Sequence, residues 1–248
     1  MSAIFDGNFR CSVCGCEFTA PELWSTSEFG SPDLDLRPAE LNRWTMEAWM
    51  QCCPNCDYVS RHIDEDGTQH KEYIATAEYI TCEGNTSLTG LARNFYRYGL
   101  LCLREKKYTA AYYAFLRAAW ACDDEELYEQ ACICRNRAAK VFYQNGGFND
   151  FEIGFVNADV LRRAGRFKEA RKLCKSLNLK NISDEDFEYA SEDEESDFIK
   201  KAVGFQLKLC RKKDTKCYSF DDCSGSLPQR LLRTIMRLYD RKYSQENN

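Results

Sequence analysis

Two cysteine pairs near the N-terminus constrain this chain more than any other feature. They read Cys11-Ser-Val-Cys14 and Cys53-Pro-Asn-Cys56, with 38 residues between Cys14 and Cys53. A Cys-x-x-Cys turn points both sulfurs at one ion, and two such knuckles supply the four thiolates of a tetrahedral Zn²⁺ site. Gly15 suits the positive φ that the first turn needs, and Pro54 pre-sets the second. One structural Zn²⁺ held by Cys11, Cys14, Cys53 and Cys56 is therefore expected. Iron satisfies the same four sulfurs, and spacing does not separate the two metals.

Fifteen cysteines in 248 residues could instead suggest a disulfide scaffold. The number is odd, no basic start followed by an apolar stretch marks an export signal, and a chain of this size needs no staples. Reduced thiols and a cytoplasmic location are expected. No run reaches the roughly 20 apolar residues of a membrane span. A redox-active Cys-x-x-Cys would open a helix after a strand in a βαβ setting, which is missing here. Cys16 and Cys52 flank the knuckles in poorer chelating positions. His62 and His70 are expected to be ordinary surface residues, because four sulfurs already close the site.

Between the knuckles, Phe18 to Pro21 and the polar stretch Ser25 to Pro38 read as loop, with a short amphipathic helix following over Glu40 to Met50. From about Leu88 the period becomes helical. Gly99 and Ala111 are 12 residues apart, as are Ala158 and Ala170, a spacing that fits the paired helices of a tetratricopeptide repeat. These pairs stand 59 residues apart rather than 34, so a long helix over about Glu125 to Gln144 lies between them and the array is irregular. The fold class expected is mainly α: an irregular tetratricopeptide-like array with a small zinc-ribbon-like N-terminal module. The expected division is 1–85 for the metal module, 86–180 for the repeats, 181–197 for an acidic connector and 198–248 for basic amphipathic helices. The last of these, about Pro228 to Tyr243, aligns Arg230, Arg233, Arg237 and Arg241.

The arrangement resembles an uncharacterised bacterial family of unknown function, whose members join a zinc-ribbon-type head to a tetratricopeptide-like body. The matching residues are Cys11 to Phe18, Asp35-Leu-Arg37-Pro38, Cys53 to Tyr58 and Leu161 to Ala170, and the likeness covers most of 9–178. It implies the same four metal ligands and no established activity. Asp57 departs from it, standing where a Gly usually follows the second knuckle, and no Pro closes either repeat.

No nucleophile elbow, phosphate-binding glycine loop or paired catalytic carboxylates is evident, so no enzymatic activity is expected. Two functional classes remain. A protein-interaction scaffold would present a groove to a protein or peptide partner, lined by Asn94, Arg97, Arg104, Asn157 and Arg162 as exposed polar positions, which are equally the solvated face of ordinary helices. The alternative is nucleic-acid binding through the basic C-terminal helices. The head itself opposes that use, since residues 1–60 carry nine acidic and three basic side chains and phosphate contact needs the opposite sign. Cys210, Cys217 and Cys223 form a looser group, read as separate thiols because no fourth ligand stands near. Cys102, Cys122, Cys132, Cys134 and Cys174 fall on helices and read as core.

Overall fold

A computed structural model describes residues 2–27, 29–65, 67–146, 151–177 and 192–224. The chain is mainly helical, and among the described residues the short strands fall within the first 60. It divides into two units. The first holds Met1–Gly30 and Pro38–Cys134; the second holds Ser31–Arg37 and Arg135–Asn248. This differs from the boundary expected at residue 85, because the first helical pair belongs with the metal module.

The first unit begins with β1 (Ala3–Arg10) and β2 (Glu17–Ser25), an antiparallel pair running from Arg10↔Glu17 to Ala3↔Ser25 with an irregularity at Ala3/Ile4. Residues 18–21 are thus strand rather than loop. Pro21 is tolerated because both strands of a two-stranded sheet are edges, where one missing donor breaks no ladder. The helix expected over 40–50 is interrupted. α1 (Glu40–Arg43) stops short of Thr45, whose hydroxyl donates to the Asn42 carbonyl at 2.7 Å and accepts from Trp49 Nε1 at 2.8 Å. Such local bonds compete with the helical ladder. The chain continues as a 3₁₀ turn over Met46–Trp49, which buries Met46 and Ala48 and leaves Trp44 exposed.

β3 (Gln51–Cys52) and β4 (Val59–Ser60) pair across the second knuckle. After a 3₁₀ turn at Thr68–His70 come α2 (Lys71–Ile74) and α3 (Ala77–Ile80), the latter capped by the Thr76 side chain. α4 (Gly90–Arg104) and α5 (Tyr108–Asp124) then form the first helical hairpin. Gly99 lets them approach: a β-carbon there would stand 2.8 Å from the buried Phe115 ring. α5 is buried from Ala110 to Cys122, so its apolar residues surround the helix instead of forming a stripe.

α6 (Tyr128–Gln144) follows, close to the helix expected over 125–144, and the division between units falls within it. In the second unit α7 (Phe151–Arg163) and α8 (Phe167–Ser176) make another hairpin, against which α9 (Glu192–Lys212) packs, followed by α10 (Asp221–Ser224). Helix ends repeat one device. The amides of Lys107, Leu127, Arg166 and Asp214 donate to carbonyls five residues earlier, beside left-handed Lys106, Glu126, Gly165 and Lys213. This is the Schellman end, which satisfies orphan carbonyls and turns the chain sharply.

The stretch 31–37 is an insertion into the second unit. Leu34 N–H donates to the Tyr218 carbonyl at 2.9 Å and Phe220 N–H to that of Pro32 at 3.1 Å. Asp35 is fully buried; Arg163 donates to it at 2.9 Å and Arg135 stands 3.5 Å away. Asp33 pairs with Arg37 at 2.6 Å. The part of the expected loop over 31–37 is therefore a strap fixed by buried charge.

Part of the acidic connector is also reassigned, since α9 already begins at Glu192. Residues 178–191, the expected helix of 228–243 and its arginines 230, 233, 237 and 241 lie outside the described residues. Among the described residues no helix is long and apolar enough to cross a membrane.

Two outcomes test this packing. Gly99→Ala should destabilise the protein by about 1–3 kcal/mol despite the better helix propensity of alanine, because the Phe115 ring must move; a denaturant midpoint unchanged or raised would contradict it. Asp35→Ala leaves buried Arg135 and Arg163 without this counter-charge. It should cost about 3–5 kcal/mol and open the chain near residues 31–37 to limited proteolysis, read by mass spectrometry.

Candidate metal centre

Both knuckles are built to one plan. In the first, Cys11 N–H donates to the Cys16 carbonyl at 2.9 Å and Gly15 N–H to the Cys11 carbonyl at 2.8 Å. In the second, Cys53 N–H donates to Tyr58 at 2.9 Å and Asp57 N–H to Cys53 at 3.0 Å. The same step in each turn requires a left-handed residue: Gly15 at φ 74° and Asp57 at φ 60°. Glycine adopts that conformation freely and aspartate does so at a cost of about 1 kcal/mol. β1 and β2 carry the first knuckle at their tip, and β3 and β4 carry the second.

These turns bring four sulfurs together. Cys11 Sγ lies 3.7 Å from Cys56 Sγ and Cys14 Sγ lies 3.5 Å from Cys53 Sγ, all four within 4.8 Å of one another. Such gaps far exceed a disulfide bond of about 2.05 Å. They match the roughly 3.8 Å edge of a tetrahedron whose Zn–S bonds are about 2.3 Å. The residues therefore fit a metal ion, and among the described residues no other group of His, Cys, Asp and Glu is so placed. Cys11 and Cys53 are buried while Cys14 is exposed.

Acidity differs across the cluster. Burial pushes the Cys11 and Cys56 thiols up. At Cys14 burial is likewise the largest single influence and pushes the thiol up, but hydrogen bonds with Asn55, the backbone at Cys16, Cys53 and Cys56 together outweigh it and bring it down to about 6. A thiolate at Cys14 is thus available near neutrality, and a divalent cation favours ionisation of the other three.

The flanking cysteines stand outside the four-sulfur group. Cys16 Sγ is 3.7 Å from the Glu17 carbonyl and Cys52 Sγ is 4.0 Å from that of Cys53. Cys210, Cys217 and Cys223 do not converge either. Cys217 donates to Asp33 at 3.0 Å, Cys223 lies 3.8 Å from the Ser219 carbonyl, and burial pushes the Cys210 thiol up to about 11.

Second-knuckle supports were not evident from spacing. Tyr79 hydroxyl donates to the Asp57 carbonyl at 2.7 Å, and Arg97 reaches the Asp57 carboxylate at 3.2 Å while its guanidinium lies 5.2 Å from the Tyr79 ring centre. Only the departure from glycine at 57 hinted at a side chain with work to do. His70 is also not an ordinary surface residue. It is buried, its Nε2 is 2.7 Å from Glu105 Oε1, and its ring stacks 6.0 Å from Tyr58. Burial pushes the Glu105 carboxyl up, yet Lys107 and His70 outweigh it and hold the group below the usual carboxylate range. His62 is exposed, as expected.

The five positions expected to line a groove behave differently. Arg97, Asn157 and Arg162 are buried, 3%, 0% and 0% exposed, so they do not form an accessible polar surface. Arg162 donates to Asp159, Gln206 and the carbonyls of Asp214 and Lys216, closing the interior of the second unit. Polar residues outside an apolar repeat look alike whether solvated or satisfied by long-range partners. Arg104 is exposed, with its guanidinium 4.3 Å from the Tyr73 ring centre, and Asn94 is half-buried.

No known protein family matches the chain, and neither the curated proteins nor the solved structures include one similar to it.

Serine at Cys14 or Cys56 should abolish retention of the metal. Elemental analysis of protein purified without added metal should give about one equivalent for the native chain and a small fraction of that for either variant. Full occupancy in both would remove these residues from the ligand set.

Proposed function

We propose that this is a non-enzymatic zinc protein that serves as a protein-interaction scaffold. The observation that carries the zinc half is the convergence of Cys11, Cys14, Cys53 and Cys56 within 4.8 Å. Four sulfurs saturate a tetrahedral ion and leave no position for water, so the metal's work is structural. Zinc is the ion proposed over iron because it is the commoner structural ion for a closed four-thiolate site. The interaction half rests on the helical hairpins α4/α5 and α7/α8, each paired as in a tetratricopeptide-like unit, and on large apolar side chains left at the surface of the first unit, among them Phe5, Trp24 and Trp44. Likeness to the bacterial zinc-ribbon and tetratricopeptide family belongs to this reading, as does a cytoplasmic location. Of the groove positions, Arg104 and Asn94 lie at the surface, while Arg97, Asn157 and Arg162 are buried. The nucleic-acid alternative depends on Arg230, Arg233, Arg237 and Arg241.

The proposal has a structural consequence. The metal module shares its unit with α4 and α5, joined by the Arg97–Asp57 and His70–Glu105 contacts. Chelation of zinc should therefore release amide protection in α4 together with residues 2–65, and leave α7 and α8 protected, as read by hydrogen exchange and mass spectrometry. Loss confined to residues 2–65 would mean that the first hairpin stands without the metal. Capture from the native host, with the intact chain and its Cys53→Ser variant as baits, tests the interaction half: a partner must be retained by the first and lost by the second. Salt-sensitive capture of nucleic acid, abolished by reversing Arg233 and Arg237, would favour the alternative.

A further inference from the structure

The strand pair β1/β2 presents an aromatic face with a carboxylate at its centre. Strand alternation and register put Phe5, Gly7 and Phe9 on one face, opposite Glu22, Ala20 and Phe18. Trp24 joins them, its ring meeting Phe5 edge-on at 5.2 Å between centres, and Phe9 and Phe18 form a second pair at 6.0 Å. Phe5 and Trp24 are 56% and 72% exposed. Between the pairs lies Glu22. A β-carbon at Gly7 would stand 2.7 Å from Glu22 Oε2 and 2.9 Å from the Phe9 ring, which places that carboxylate over Gly7 and beside Phe9.

Glu22 has no ion-pair or hydrogen-bond partner among the described residues. The one cation of the strand pair, Arg10, faces Glu17 across the other side. A carboxylate set between two exposed and two half-buried rings is a poor place for an anion and a good one for a cation. Ring faces attract guanidinium and ammonium groups, and the carboxylate supplies a charge-assisted hydrogen bond. The strand pair itself has the same sign, with Asp6, Glu17 and Glu22 against the single Arg10. Absence of a glycine side chain at position 7 is what lets the carboxylate lie flat there.

We propose that this face docks the cationic side chains of a protein partner, an Arg- or Lys-bearing segment. The proposal rests on the interaction reading above and gives it a surface and a partner chemistry. A phosphodiester backbone would meet Glu22 with the wrong sign.

Titration of the full-length zinc-loaded protein with a short peptide of alternating arginine and glycine tests it, alongside the same peptide with glutamate for arginine and a single-stranded oligonucleotide. The arginine peptide should bind and the other two should not. Glu22→Gln and Trp24→Ala, each checked for full metal content, should each weaken binding by about tenfold. Asp6→Asn, on the opposite face, should change it by no more than about twofold, since it alters only the long-range field. Equal affinity of the native chain and both face variants, or equal loss in Asp6→Asn, overturns the proposal, as does binding of the oligonucleotide or of the acidic peptide. In host capture, a partner retained equally by the native chain and Glu22→Gln overturns this face alone. No partner for either overturns the interaction reading beneath it.

Discussion

Four sulfurs gathered within 4.8 Å of one another across two turns are the contact on which the first unit depends. As thiolates they would repel one another, and as thiols they make only weak hydrogen bonds. A divalent cation converts the same geometry into the strongest cross-link available to a segment whose strands are short. Residues 2–65 otherwise hold two-stranded sheets and single helical turns, none of which is stable by itself in water. With an ion in that site, metal binding and folding of this segment would be one event.

That cross-link is braced from the helical side. Asp57 occupies a left-handed position that glycine fills in the first knuckle, and its cost is offset by Arg97 and Tyr79, which hold its carboxylate and its carbonyl. His70 and Glu105 tie the end of the module to the end of α4. The second unit uses the same physics without a metal. Asp35 meets Arg163 and Arg135, and Asp159 meets Arg162 and Gln206, all within the interior. Buried ion pairs of this kind add little net stability against apolar replacement, but removing one partner is costly. They fix which segment fits, which suits a strap that must find its place between distant parts of the chain.

The sequence alone determined the four cysteines that converge, the mainly helical class and the two helical hairpins. Each of those signals is local: two knuckles of fixed spacing, small residues 12 positions apart, and a 3.6-residue apolar period. The choice of Cys53 over Cys52 was legible for the same reason, because x-x spacing sets where a sulfur can point. Tertiary structure decided the rest. It made strands of residues 3–10 and 17–25, broke the helix expected over 40–50, assigned α4 and α5 to the metal module's unit and inserted 31–37 into the other. It also buried Arg97, Asn157, Arg162 and His70, which sequence reading had placed at the surface. Whether a charged side chain is solvated or satisfied inside depends on partners as far away as Asp35 is from Arg163. Such partners leave no periodic trace in the chain, since long-range charge pairing, unlike helix or knuckle geometry, sets no spacing between the residues it joins.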